Sequence, residues 1–248
     1  MSEPIYPISE IFTSPQGEGR WAGHLMTFIR LAGCSVGKPY PKSRYTDPVC
    51  SGKCDVDMGH LRDCPMATTV KLPIYTEMCT LYDGRTFECD TDYRVKERLT
   101  VSEIIARVDA PRVCISGGEP LIHDLLALVE ACDNIANVHI ETSGTRSLRV
   151  ANLEHVEAYG HIWIAVSPKK GARPDMIDRA DEIKLLVDAD FDETMLPVSM
   201  VMKDNVYIQP VNFEHTINSA NMKRCIELQK KHKNWIISSQ SHKTWNVR

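Results

Sequence analysis

An α/β fold with a parallel sheet, rolled into a partial or complete β/α barrel, is what this sequence predicts. Three observations lead there. Short β-branched or apolar runs alternate with segments whose apolar residues recur at helical spacing. About six or seven runs of the first kind are present, enough for most of a barrel wall. Polar motifs stand at the C-terminal ends of four of them: Gly117-Gly118-Glu119, Glu141-Thr142-Ser143, Ser167-Pro168-Lys169 and Gln209-Pro210. Active sites of β/α barrels are assembled at that edge of the sheet, and four turns converging there by chance is a poor explanation.

The elements follow in order. Ile5 to Ile11 is a short apolar opening, followed by the glycine-rich turn Ser14-Pro15-Gln16-Gly17-Glu18-Gly19-Arg20. Leu25 to Leu31 reads as a strand that ends in Ala32-Gly33-Cys34. Arg30 is a charge inside that apolar run. It is either an edge residue whose head reaches water or an anion ligand at the strand end. Thr100-Val101-Ser102-Glu103 is a capping-box pattern that opens a helix from Val101 to about Val108. Arg112 to Ile115 is a strand. Gly117 and Gly118 turn the chain after it, and a helical pattern starts at Leu121. Val138–Glu141, Ile162–Val166, Glu182–Val187 and Val206–Pro210 read as further strands, Ser219–His232 as a helix and Trp235–Ser238 as a last strand.

Composition sets the outer bounds. The chain has 248 residues, 43% apolar and 25% charged, which suits one large domain. A net charge of −4 gives no electrostatic footprint for nucleic acid, and no apolar run is long enough for a membrane span. Met1-Ser2-Glu3-Pro4 has neither a basic region nor an apolar signal core, so the expected compartment is the cytoplasm. Nine cysteines in a reducing compartment point to metal or redox chemistry rather than disulfides.

Residues 35 to about 90 differ from the rest. Prolines 39, 41, 48, 65 and 73 and cysteines 50, 54, 64, 79 and 89 fall there, with no persistent helical or strand period. We read this stretch as a metal-organised loop. A [4Fe–4S] cluster held by three cysteines keeps one iron open for a ligand. Cys50 and Cys54 imitate the start of a compact three-cysteine motif, but the next expected position is Asp57. Cys114, Cys132 and Cys225 lie in strand or helix patterns and read as core residues.

One ordered set of motifs carries a resemblance. It comprises Ser14-Pro15-Gln16-Gly17-Glu18-Gly19, Phe28-Ile29-Arg30-Leu31-Ala32-Gly33-Cys34, Cys89-Asp90-Thr91, Ser116-Gly117-Gly118-Glu119-Pro120, Glu141-Thr142-Ser143-Gly144-Thr145, Ser167-Pro168-Lys169 and Gln240-Ser241-His242-Lys243. Together, over nearly the whole chain, they resemble the 7-carboxy-7-deazaguanine synthases of the radical S-adenosylmethionine superfamily. The resemblance implies a partial (β/α) barrel of the radical SAM type, with residues 1–248 as a single domain. The compact cysteine motif of the family is split here by a Cys-rich insertion at 35–88.

By the same resemblance, Cys34 and Cys89 are the outer ligands of a [4Fe–4S] cluster. Cys79 is our choice for the middle one, being on the same side of the insertion as Cys89; Cys50, Cys54 or Cys64 in its place is the alternative. Those three, with His60, then form a structural Zn2+ site or are free thiols. S-adenosylmethionine is expected against Glu88, Cys89, Asp90, Gly117, Gly118, Glu119, Ser167, Pro168 and Lys169. Thr91 matches a Mg2+ ligand, with a simple turn after Asp90 as the other reading. The pterin substrate maps to Pro15, Gln16, Gly17, Arg30, Ser116, Glu141 and Arg248. Glu119 is alternatively a helix N-terminal acid, Glu141 a strand-end acid paired with a lysine, and Lys169 part of a solvated basic pair.

The implied reaction is a lyase chemistry led by the cofactors. A 5′-deoxyadenosyl radical takes hydrogen from 6-carboxy-5,6,7,8-tetrahydropterin; ring contraction and loss of ammonia give 7-carboxy-7-deazaguanine. An electron donor such as flavodoxin and a homodimer are implied, with no nucleic-acid or membrane partner. Two other readings compete. An activase of a glycyl radical enzyme shares the cluster and the Gly-Gly-Glu element but gives no reason for Gln16-Gly17-Glu18-Gly19. A zinc-stabilised binding protein without catalysis rests only on Cys50, Cys54, Cys64 and Cys79.

Overall fold

Two sheets organise the residues that the computed structural model describes, which are 3–39, 77–89, 91–148, 162–212 and 216–245. The first strands along the chain are β1 (Ile5–Pro15), β2 (Leu25–Leu31), β3 (Lys38–Pro39), β4 (Glu77–Thr80), β5 (Thr86–Cys89) and β6 (Glu97–Thr100). They are followed by β7 (Arg112–Gly117), β8 (Asn137–Thr142), β9 (Trp163–Val166), β10 (Glu182–Val187), β11 (Val206–Pro210) and β12 (Ile236–Ile237). The helices are α1 (Val101–Ile105), α2 (Leu126–Asp133), α3 (Pro174–Arg179), α4 (Val198–Val201), α5 (Ser219–Lys231) and α6 (Ser241–Trp245). Among the described residues no helix is long and apolar enough to cross a membrane.

The larger sheet runs β12-β11-β10-β9-β8-β7-β2-β1-β6. From β2 to β12 every neighbouring pair is parallel, while β1 is antiparallel to both β2 and β6. Each new parallel strand is laid on the same side of the last. Right-handed crossovers repeated in one direction curl such a sheet into a barrel wall instead of winding it both ways. The wall stays open, with β12 and β6 as its edges.

The two-residue period of the strands divides the chemistry between the faces. Ile29, Leu31, Val113, Ile115, Val138, Ile140, Ile164, Val166, Ile183, Leu185, Val206 and Ile208 belong to one apolar core with α2, α3 and α5. Burying such a side chain contributes about 1.5–3 kcal/mol before entropy is counted. The alternate positions form the inner face: Met26, Phe28 and Arg30 on β2, Cys114 and Ser116 on β7, His139 and Glu141 on β8, Lys184 on β10, Gln209 on β11. Below them Met26, Phe28 and Cys114 form a small apolar cluster with Phe12 and Trp21. The short 3-10 turn Gly19–Trp21 plugs the bottom. There the Arg112 guanidinium lies 3.7 Å over the Trp21 ring, Trp21 meets Trp163 edge-on at 5.5 Å, and Arg20 N and Trp163 Nε1 both donate to Glu182 at 3.1 Å.

Several elements depart from the sequence reading. The opening Ile5 to Ile11 continues as strand through Pro15, because β1 pairs with β6 along its first residues and with β2 along the rest. Cys34 therefore follows the second strand. The capping box at Thr100 and Glu103 is formed, but α1 stops at Ile105: the amides of Arg107 and Val108 bond three residues back, tightening the last turn. Leu121 and Ile122 lie in a 3-10 turn, Pro120–Ile122, and α2 starts only at Leu126.

No strand period is legible between 35 and 88, yet the described parts of that stretch belong to an antiparallel sheet, β3-β4-β5. Its strands have four residues or fewer, too short for a period to show, and Gly84 at φ +92° turns the β4–β5 hairpin. Cys50, Cys54, Cys64, His60, Asp90 and Arg248 lie outside the described residues.

Candidate active site

A cavity of about 360 Å³ opens at the C-terminal ends of the parallel strands. Of the sequence-predicted residues, Pro15, Gln16, Gly17, Arg30, Cys34, Cys79, Cys89, Thr91, Ser116, Gly117, Gly118, Glu141, Ser167 and Lys169 line it. A second cavity of similar volume, among Ile122, Arg146 and Arg173, holds none of them.

Three thiols meet at one side. Cys34 stands just past β2, and its Sγ accepts the amides of Val36 (3.4 Å) and Gly37 (3.3 Å). In the hairpin Cys79 opposes Phe87 and Glu77 opposes Cys89, so Cys79, Phe87 and Cys89 share one face. The Cys79 thiol is pushed up from its ordinary range by its hydrogen bond with Cys89, then by burial, with the Cys34 thiol adding to both and Lys169 opposing. Burial also raises Cys34.

No three His, Cys, Asp or Glu side chains among the described residues stand close enough to hold a single metal ion. A cluster makes a different demand, since each cysteine binds its own iron, and a coordinated thiol gives up its proton outright. Neighbouring thiols, Cys79 buried and Cys34 and Cys89 partly so, with Cys34 already accepting backbone amides, fit that group.

The glycines are dictated by closeness. A Cβ on Gly117 (φ +152°) would lie 2.2 Å from Leu31 O, and one on Gly118 would lie 2.4 Å from Gly33 O and 2.6 Å from Cys34 Cβ. The loop after β7 is thus pressed against the loop that carries Cys34. Glu119 takes the second of the two places expected for it, as the acid at the N-terminus of the 3-10 turn Pro120–Ile122. It is 0% exposed, and its carboxylate receives Leu121 N (3.0 Å), Ser143 N (2.9 Å), Thr142 Oγ1 (2.7 Å) and the Ser143 hydroxyl. It ties the loops after β7 and β8 together behind the cavity and has no carboxylate oxygen left for a ligand inside it.

After β9, Lys169 Nζ donates to Ser167 Oγ (2.9 Å) and lies 5.4 Å from the Phe87 ring centroid. Burial lowers the pKa of Lys169, with Cys79 and Cys89 pulling the other way. Pro168 is buried beside it, and Glu88 lies on β5.

The opposite side is polar. Arg30 and Ser116 are register partners on β2 and β7. The Arg30 Nε is buried without a hydrogen-bond partner among the described residues, and its guanidinium lies 5.7 Å from the Phe12 ring centroid. Glu141 accepts from Lys184 Nζ (2.8 Å) and Gln16 Nε2 (3.1 Å). Lys184 also donates to Glu18 (3.1 Å), which receives Gln209 Nε2 (3.3 Å) and Gln240 Nε2 (3.0 Å) as well.

Burial alone would raise Glu141; the Lys184 charge holds it below the usual carboxylate range. Burial alone would lower Lys184; Glu141, Glu18 and Glu182 hold it well above its usual value. Beneath them His139 has both ring nitrogens unpartnered among the described residues, and burial brings its pKa down to about 4. It is a neutral imidazole at pH 7.

The sequence reading did not commit Glu18, Lys184, Gln209, Gln240 or His242 to the site. Lys184 carried the same signal as Arg30, a charge within an apolar strand. The two C-terminal residues arrive through a contact that glycine permits: a Cβ on Gly17 would lie 2.1 Å from His242 Nδ1, and Ser241 N donates to Gly17 O at 3.0 Å.

The chain is similar to several known proteins, although no family model matches it. It is 29% identical to the 7-carboxy-7-deazaguanine synthase of Escherichia coli K12, over 98% of this chain and 99% of that protein. The enzyme of the same name from Burkholderia multivorans is 29% identical, and that from Synechocystis 28%, each over 98% of this chain. Among solved structures, the crystal structure of QueE from Escherichia coli superposes with a TM-score of 0.55 at 27% identity, over 95% of this chain and 93% of that one. The fold is accordingly an α/β partial barrel of the radical SAM type.

Proposed function

We propose that this chain is a radical SAM enzyme that converts 6-carboxy-5,6,7,8-tetrahydropterin to 7-carboxy-7-deazaguanine. The observation that carries the reading is the convergence on one cavity of Cys34, Cys79 and Cys89, the Gly117–Gly118 loop, Ser167 and Lys169, with Arg30 and Glu141 facing them. The names and near-full-length similarity of the relatives support it.

Cys34, Cys79 and Cys89 hold the [4Fe–4S] cluster, and the loops at Gly118 and Ser167–Lys169 hold S-adenosylmethionine. Bound together, the two supply the hydrogen-atom abstraction that starts ring contraction. The protein's own residues bind and orient. The Arg30 guanidinium, with an unused buried Nε–H, takes the pterin carboxylate. Phe12, stacked on Phe28 at 5.0 Å, offers a flat wall beside it. Lys184 pairs with Glu18 and keeps Glu141 ionised, so Glu141 acts only as an acceptor, which suits the amino-pyrimidine edge of a pterin. Thr91 is the candidate Mg2+ ligand, and Cys50, Cys54, Cys64 and His60 are the candidate structural Zn2+ ligands. The reading carries with it a homodimer, a flavodoxin-type reductant and a cytoplasmic setting.

Anaerobic reconstitution tests it. The protein should turn brown, bind about four irons and, once reduced, release 5′-deoxyadenosine in the presence of the pterin. Iron without 5′-deoxyadenosine, or a colourless protein with stoichiometric zinc, refutes the enzyme reading.

A further inference from the structure

Among the described residues, few polar groups hold the hairpin that carries Cys79 and Cys89 to the barrel. On one side Lys170 N donates to Thr80 O at 2.9 Å, and Leu81 forms a lone bridge with Lys169. On the other, Tyr82 packs on the apolar core, and polar contacts among the described residues pass through Arg85, the residue that closes the turn. Leu81 N donates to Arg85 O at 2.7 Å, which seals the turn. Arg85 Nε donates to Asp83 Oδ2 at 2.8 Å, which sets the guanidinium plane from within the hairpin. That plane then reaches the barrel: Nη2 donates to Leu186 O at 3.0 Å, Nη1 forms an ion pair with Asp188 without hydrogen-bond geometry, and the group lies 5.0 Å over the buried Phe191 ring. Leu186 is on β10, the strand that carries Lys184.

We infer that Arg85 is a positioning residue for the metal-binding thiols. By fixing the hairpin turn to the end of β10, it sets Cys79 and Cys89 against Cys34 before iron arrives. This rests on the cluster reading given above. A planar fork serves Asp83, a backbone carbonyl, Asp188 and an aromatic face at once, whereas an ammonium does not. The side chain is 20% exposed and that of Asp83 6%, so water screens the arrangement only in part.

The test compares wild type, Arg85→Ala, Arg85→Lys and Arg107→Ala. Arg107 pairs with the exposed Glu97 and serves as a control. Each is reconstituted anaerobically, its visible and EPR spectra are recorded, and iron loss to a chelator is timed. Amide hydrogen exchange is measured on the iron-free proteins. Arg85→Ala is expected to lose iron about tenfold faster, with faster exchange confined to residues 77–89. Arg85→Lys should fall nearer to Arg85→Ala than to wild type, and Arg107→Ala should match wild type. Unchanged iron retention and hairpin protection in Arg85→Ala overturn the inference. So does a loss of protection throughout β10, β11 and α5, which would make Arg85 a general stabiliser. A wild type that takes up no iron refutes the cluster reading instead, and the inference falls with it; the two failures are thereby distinguished.

Discussion

Replacing Lys184 by methionine tests the electrostatics of the cavity floor. The Lys184 side chain is 6% exposed and bonds two carboxylates, at 2.8 Å and 3.1 Å. Methionine keeps most of the volume and removes the charge. Among the described residues, Glu18 and Glu141 would then face each other with only the neutral amides of Gln16, Gln209 and Gln240 as donors. Breaking a buried pair in this way costs about 3–5 kcal/mol, because the partner charge is left uncompensated. We expect a loss of about 3 kcal/mol at about pH 7, read from urea denaturation followed by tryptophan fluorescence.

The pH dependence supplies the sharper check. In wild type the lowered pKa of Glu141 gives stability that is present above the ordinary carboxylate range and lost as pH falls through the folded value. Without the Lys184 charge to offset burial, the same carboxyl takes up a proton more readily as pH falls, and the penalty shrinks. The gap between the two proteins should narrow toward about pH 5. Adding Glu141→Gln to the variant should recover part of the loss at neutral pH by removing one of the two unpaired charges. A loss below about 1 kcal/mol, or a gap that does not change with pH, would refute the reasoning.

Two further outcomes are expected. His139, with its folded pKa brought down to about 4, refuses a proton that the unfolded chain accepts near 6.5. Stability should therefore fall by roughly 3 kcal/mol as pH drops from the unfolded to the folded pKa. His139→Leu should remove that slope, and a variant with the slope intact would assign it to another group. Gly117→Ala places a Cβ 2.2 Å from Leu31 O at a φ of +152° and should destabilise by roughly 2 kcal/mol or more, with less iron taken up on reconstitution. Gly171→Ala, at φ +86° with open space around it, should cost only about 1 kcal/mol and leave iron uptake unchanged.

The parallel wall was legible because its outward positions are Val, Ile and Leu in runs that local spacing reveals. The capping box at Thr100 was legible for the same reason: its partners are three residues apart. β1 was harder to read. Pro7, Ser9, Glu10, Thr13 and Ser14 break its apolar pattern, and one face of it looks into a polar cavity, so the half-buried alternation of an ordinary strand is absent. The hairpin was missed because four residues cannot display a period. Glu119 was read by its position in a loop, but the carboxylate turns inward once the ends of β7 and β8 come together, and their adjacency is a fact of topology. Gln240 and His242 reach the cavity across more than two hundred residues, and no local pattern encodes such a meeting.

That last meeting orders events in time. Gln240 contacts Glu18 across 222 residues and Ser238 contacts Gly19 across 219. A ribosome that has released β1 through β10 has already made most of the wall, the hairpin and every described thiol of the cavity. The rim near Gly17 is still missing until residues 238–242 emerge. Loop closure over that span comes late, after local contacts have formed. A nascent chain therefore passes through an interval in which Cys34, Cys79 and Cys89 are assembled while the Glu18 side of the cavity is open to solvent. Arrest of synthesis after α5 would hold it there, with the Glu18–Lys184 pair still wet.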